Sequence, residues 1–159
     1  MLVTVFSDAS WCPHVKVGGW GAWVKSERLQ HQSGGELKSK PISAREAEVM
    51  AIGNAVWLAL RMGAARPGDE ILIQTDCLHA IDVLNEGKCK RRTSAEVDVC
   101  LALVSWRAKY QLTMRFKHVK GHTAGHEPRL WVNNFCDRLA KHYMRQARTA
   151  LKSKGVKNG

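Results

Sequence analysis

Four acidic residues fall where backbone elements would bring their carboxylates together: Asp8, Glu48, Asp76 and Asp137. Asp8 and Asp76 each follow an apolar run of strand type, Leu2 to Phe6 and Glu70 to Thr75. A helical pattern lies between those runs. The connection is therefore a crossover, and the two strands can lie parallel and adjacent, about 4.8 Å apart. Their carboxylates would then converge outside the carboxyl ends of the strands, where open α/β sheets place their sites. Taken singly, either Asp could instead cap the turn that follows it. Glu48 heads a helical stripe of Ala51, Ile52, Ala55 and Ala59, which turns it towards the sheet, where an unpaired charge is costly. Glu46 lies about 200° around the helix and suits a capping box with Ser43, so Glu48 is the preferred site residue. Asp137 stands in the first turns of the last helical segment, in line with Ala140 and Met144. The plain alternative for it is an acid placed against a helix dipole.

Clustered carboxylates repel one another and take up protons unless cations neutralise them. Oxygen-rich sites suit Mg²⁺ or Mn²⁺. Two such ions about 3.5–4 Å apart can stabilise both the attacking and the leaving oxygen of phosphodiester cleavage. The chain as a whole carries the opposite charge: 25 Lys and Arg against 14 Asp and Glu give a formal +11. A field of that sign attracts polyanions, of which nucleic acid is the commonest. A basic chain with a carboxylate-lined site is a candidate nuclease.

The elements that would position these groups can be read along the chain. Leu2 to Phe6 is apolar on both faces, as a covered central strand requires. Gly18 to Val24 is a glycine-rich aromatic strand, and Arg28 to Leu37 a more polar edge strand. Ser43 to Met62 is the strongest helix, capped by Ser43 and ended by Gly63. Glu70 to Thr75 is a strand, Leu78 to Asn85 a short helix, and Ala95 to Lys109 a longer one. Leu112 to Val119 is the last strand, and Asn133 to about Ala150 the last helix. Three strands, helix, strand, helices, strand, helix implies an α/β fold with a mixed sheet and right-handed crossovers.

The 159 residues, 45% hydrophobic, fit one compact domain, expected over 1–150, with a basic tail over 151–159. Five cysteines, an odd number with no C-x-x-C pair, point away from a disulfide framework and towards a reducing, cytoplasmic setting. The amino-terminal residues lack a signal-peptide pattern, and Val49 to Leu60 is too short to span a bilayer. His118, His122 and His126 recur every four residues and would suggest zinc with Cys136. Gly121, Gly125 and Pro128 break the helix such a site would need. Trp20, Trp23, Trp57 and Trp106 lie in regular segments and read as core, whereas Trp11 and Trp131 could touch nucleic acid.

Six blocks in order carry a resemblance: V-F-S-D-A-S at 5–10, G-G-W-G-A-W at 18–23, A-E-V-M-A-I at 47–52, I-Q-T-D at 73–76, H-V-K-G-H at 118–122 and N-N-F-C-D-R-L-A at 133–140. Together they resemble ribonuclease H, type 1, over about residues 3 to 145. That resemblance implies a five-stranded mixed sheet of the ribonuclease H-like kind. It also implies hydrolysis of the RNA strand of RNA–DNA hybrids with two Mg²⁺ ions, or Mn²⁺ in their place, giving 5′-phosphate and 3′-hydroxyl ends. On it, Asp8, Glu48, Asp76 and Asp137 bind the metals, with Asp8 bridging. His122, or His126 in the same loop, matches a histidine that aids proton transfer or product release. Ser10 and Asn133 match positions near the substrate backbone, and Ser43 a position that contacts the DNA strand. Ala44 and Arg45 stand where asparagines are common, and fourteen residues separate His122 from Asp137, a longer loop than in compact bacterial members.

RNA-strand choice would come from 2′-hydroxyl contacts, for which the backbone from Ala9 through Trp11 to Cys12 is the candidate. Lys88, Lys90, Arg91 and Arg92 would grip phosphates as a reduced basic protrusion. The expected partner is an RNA–DNA hybrid and the expected state a monomer. Alternatives are a related-fold nuclease acting on DNA or on junctions, and a non-catalytic nucleic-acid-binding module. Four acids facing a polyanion argue against the second.

Overall fold

The computed structural model describes residues 1–85, 91–120 and 128–157. Its order is β1 (Leu2–Cys12), β2 (Val17–Lys25), β3 (Gln30–Glu36), α1 (Ala44–Arg61), β4 (Glu70–Thr75), α2 (Leu78–Leu84), α3 (Ser94–Tyr110), β5 (Thr113–His118) and α4 (Pro128–Lys157). The strands form one mixed sheet in the order β3-β2-β1-β4-β5. β1, β2 and β3 are antiparallel neighbours, while β1–β4 and β4–β5 are parallel. This is the α/β arrangement read from the element order.

Side chains alternate across β1, and so do its partners. Val3 and Val5 are fully buried in a large core with α1, whereas Phe6 joins Trp23, Val119 and Cys136 in a smaller one under α4. α1 and α4 thus cover opposite faces. On the α4 side two glycines of β2 permit a very close approach. A Cβ on Gly19 would stand 2.3 Å from the Ala140 carbonyl oxygen, and one on Gly21 2.5 Å from that of Cys136. The close backbone approach inferred from the glycine-rich run is the seat of α4.

Several elements differ from the sequence reading. β1 does not stop before Asp8 but runs on to Cys12, still paired with β2. α4 begins at Pro128, so Trp131 is on a helix rather than in a loop. There it stacks on Phe135 at 5.7 Å and meets the edge of Trp23 at 5.2 Å, pinning the first turns. α4 also runs on to Lys157, past the boundary drawn at 150, so the basic stretch 151–157 is helix rather than tail. Trp57, expected in the core, is 46% exposed at the end of α1, with the Arg61 guanidinium over its ring. None of the described helices is long and apolar enough to cross a membrane.

Candidate functional site

The pairing of β1 with β4 ends at Phe6 and Gln74. Asp8 and Asp76 follow two residues later in the same register, so they flank the point where the ladder stops. Ending a ladder leaves backbone donors over. The Ala9 N–H is one, and it donates to Asp8 Oδ1 at 2.9 Å and to Glu48 Oε1 at 3.3 Å. Glu48 arrives from α1, whose start is fixed by Ser43: its Oγ accepts from the Glu46 N–H at 3.1 Å. Glu46 folds back to accept from the Ile42 N–H, one residue before the cap, and so plays the local part expected of it. Asp76 is steadied on its far side by His118 of β5, whose Nε2 lies 3.1 Å from the Asp76 carbonyl oxygen.

The outcome is three carboxylates from three elements, Asp8, Glu48 and Asp76, with ligand oxygens all within 4.8 Å of one another. Asp8 is 4% exposed, and Glu48 Oε2 is buried with no hydrogen-bond partner. Burial pushes the Asp8 carboxyl up to about 7, and the neighbouring charges of Asp76 and Asp137 push the same way. Burial, then the Asp8 charge, holds Glu48 well above the usual carboxylate range. Such a cluster is stable only when protonated or when a cation sits among its oxygens. An orphaned buried oxygen in a set of hard donors is what a divalent cation would satisfy.

A stability prediction follows from the sign of that shift. Between about pH 4 and pH 7 the unfolded chain loses the Asp8 proton while the folded chain keeps it. Stability of the metal-free protein should therefore fall as pH rises through that window, and the raised Glu48 carboxyl acts in the same direction. Thermal unfolding in a chelator at stepped pH would read this; a Tm rising steadily from pH 4 to pH 7 would contradict it.

Asp137 stands apart from the three. It is close enough to raise Asp8, yet its Oδ2 is held 2.9 Å from Lys141 Nζ, one turn along α4. Sequence reading missed Lys141; its signal was an ordinary i, i+4 Asp–Lys spacing.

The other candidates divide. Trp11 and Ser10 are part-buried at the end of β1, and Trp11 Nε1 donates to the Pro41 carbonyl at 2.9 Å, tying that end to the segment before Ser43. The Cys12 side chain is buried, so only its backbone could meet a ligand. Asn133 is buried beneath the start of α4. Arg92 Nε donates to the Val83 carbonyl at 3.0 Å and anchors the chain between α2 and α3, while Arg91 is exposed beside it. Lys88, Lys90, His122 and His126 lie outside the described residues. Cys136 lies in the small core with Phe6, Trp23 and Val119, where burial pushes its thiol up.

The ribonuclease H family model matches residues 2–145. The chain belongs to the RNase H family. It is a ribonuclease H hydrolase by that match. Among solved structures it resembles the N-terminal RNase H domain of a Mycobacterium tuberculosis protein, solved as a fusion with maltose-binding protein. The TM-score is 0.71 at 15% identity, covering 94% of this chain and 98% of that one. RNase H1 of the halophilic archaeon Halobacterium salinarum gives 0.68 at 14%, covering 92% and 99%. LC11-RNase H1 in complex with an RNA/DNA hybrid gives 0.61 at 14%, covering 91% and 98%. No curated protein matches the chain.

Proposed function

We propose that this RNase H hydrolyses the RNA strand of RNA–DNA hybrids with two divalent cations, Mg²⁺ or Mn²⁺, leaving 5′-phosphate and 3′-hydroxyl ends. The observation that carries the reading is the meeting of Asp8, Glu48 and Asp76 from β1, α1 and the end of β4. A polyanion binder gains nothing from that cluster, because bare carboxylates repel phosphates. The hybrid bound to LC11-RNase H1 supports the choice of substrate.

Asp8, Glu48 and Asp76 would hold the ions, with Asp137 completing the set from α4. When bound, such ions supply Lewis-acid stabilisation of the attacking and leaving oxygens. The chain supplies the rest. The Ala9 N–H fixes the Asp8 and Glu48 carboxylates in place, and His118 fixes the turn at Asp76. The backbone from Ala9 to Cys12, with Ser10 and Ser43 nearby, would meet the strands' sugars and phosphates, and Asn133 would support that surface from α4. His122, or His126, would move a proton. Lys88, Lys90, Arg91 and Arg92 would hold phosphates further along.

Incubation of an end-labelled hybrid with and without Mg²⁺ tests this, with single-stranded RNA, duplex DNA and a four-way junction in parallel. The RNA of the hybrid should be cut only with the metal and the other substrates left whole. Preferential cutting of the junction would move the reading to a related-fold DNA nuclease.

A further inference from the structure

α4 carries far more positive charge than a helix needs to stay in solution. Between Pro128 and Lys157 the sequence holds eight Lys or Arg and a single acid, Asp137, a surplus of seven out of the chain's +11. Five of them, Arg138, Lys141, Arg145, Arg148 and Lys152, follow one another at alternating steps of three and four. On an α-helix those steps put all five within an arc of about 80° and along about 21 Å. Like charges at such spacings destabilise a helix, so local stability does not explain them. Arg138, Arg145 and Lys152 are exposed, and Lys141 and Arg148 part-buried.

The course of this ridge follows from what α4 touches. At one end Lys141 reaches Asp137 at 2.9 Å, beside the carboxylate cluster. Further along, α4 crosses β2 from Gly21, under Cys136, to Gly19, under Ala140 and Met144, and so runs towards the turn that joins β1 to β2. The ridge therefore starts at the site and runs beside the last residues of β1, towards a turn that adds exposed His14 and Lys16.

We infer that this ridge is a phosphate-tracking surface for the nucleic-acid strand that leaves the carboxylate cluster, a contact separate from the basic segment at 88–92. A length of about 21 Å matches roughly six base-pair steps of a duplex at 3.4 Å of axis each. A membrane surface fits less well, because the apolar face of α4, with Cys136, Ala140 and Met144, is buried against the sheet and has nothing to insert. The inference rests on the hybrid-nuclease reading for its ligand, though not on cleavage for its test.

The test is binding of a fluorescein-labelled RNA–DNA hybrid of about 24 base pairs, several times the length of the ridge. Anisotropy is read in EDTA at stepped salt for the whole chain and for the exposed double variant Arg145→Gln/Lys152→Gln. The ridge variant should bind about tenfold more weakly at low salt, with a log–log slope shallower by about 1.8. The double variant Lys25→Gln/Lys109→Gln, which removes two exposed charges away from the carboxyl ends of the strands, should bind as the whole chain does. Charge-preserving Arg145→Lys/Lys152→Arg should restore the slope. An unchanged slope for the ridge variant, or equal weakening by the two double variants, overturns the ridge. So does stronger capture by anionic phosphatidylserine vesicles than by hybrid. Because EDTA prevents cutting, a wild-type protein that binds this way yet fails to cleave with Mg²⁺ would reject the nuclease reading and leave the ridge standing. Cleavage with an unchanged slope does the reverse.

Discussion

Asp8→Asn is expected to lower hybrid cleavage by at least about a thousandfold and, in the same protein, to raise the Tm of the metal-free fold. Both effects have one cause. Asp8 is nearly sealed from water, accepts from the Ala9 N–H, and faces Glu48, Asp76 and Asp137. Asparagine keeps the shape and an oxygen for that N–H but removes the charge the other acids oppose. Stabilisation of roughly 1–3 kcal/mol would follow, which for a chain of this size is about 2–12 °C. Added Mg²⁺ should stabilise the native chain by mass action and do little for the variant. The measurements are thermal unfolding in EDTA at pH 8, the same with Mg²⁺, and cleavage of labelled hybrid. Asp76→Asn should behave alike with a smaller gain, being less buried. Retained cleavage in both variants would end the catalytic assignment. A lower Tm for Asp8→Asn would deny that the carboxylates strain the fold.

That opposition between stability and function also explains what was readable in the sequence. β4 was read at its observed bounds because six consecutive residues of strand type end on an acid with turn signals either side. The Glu48 orientation was legible because the alanines and isoleucine behind it leave no doubt which face is buried. Asp8 was placed beyond the strand because an acid ordinarily ends one. Here β2 continues to pair past the point where β4 stops, and only the three-dimensional ladder shows that difference. Trp57 was misread because a large aromatic on an apolar helix looks like core; the structure leaves it at the open end of α1, under Arg61. The start of α4 was hidden by Gly125 and Pro128. Proline is tolerated in a first helical turn, so it marked a beginning where it was read as a break. The ion pair of Asp137 with Lys141 had only its i, i+4 spacing to announce it, and the same spacing on any surface helix means little.

Gly21→Ala should lower stability and cleavage together, because it acts on packing and on the geometry of the site at once. Gly21 pairs with Asp8 across β1 and β2, and α4 crosses directly above it. A methyl there would lie 2.5 Å from the Cys136 carbonyl oxygen, 3.0 Å from Leu139 Cβ and 3.2 Å from the Ala140 nitrogen. The two backbone atoms cannot rotate aside, so the whole turn carrying Asp137 must lift. Overpacking of this kind costs about 1–3 kcal/mol, or about 2–12 °C in Tm for a chain of this length. Lifting the turn also draws the fourth carboxylate away from Asp8, and a shift of about 1 Å can cost about a hundredfold in rate. Gly63→Ala is the control. Gly63 sits at a φ of +77° past the end of α1, with nothing within 4 Å of the added methyl. It should lose about 1 kcal/mol through backbone strain alone and keep full cleavage per folded molecule. If Gly21→Ala lost stability and kept that same cleavage, Asp137 would not belong to the site. Unchanged stability would mean that α4 does not rest on β2 as described.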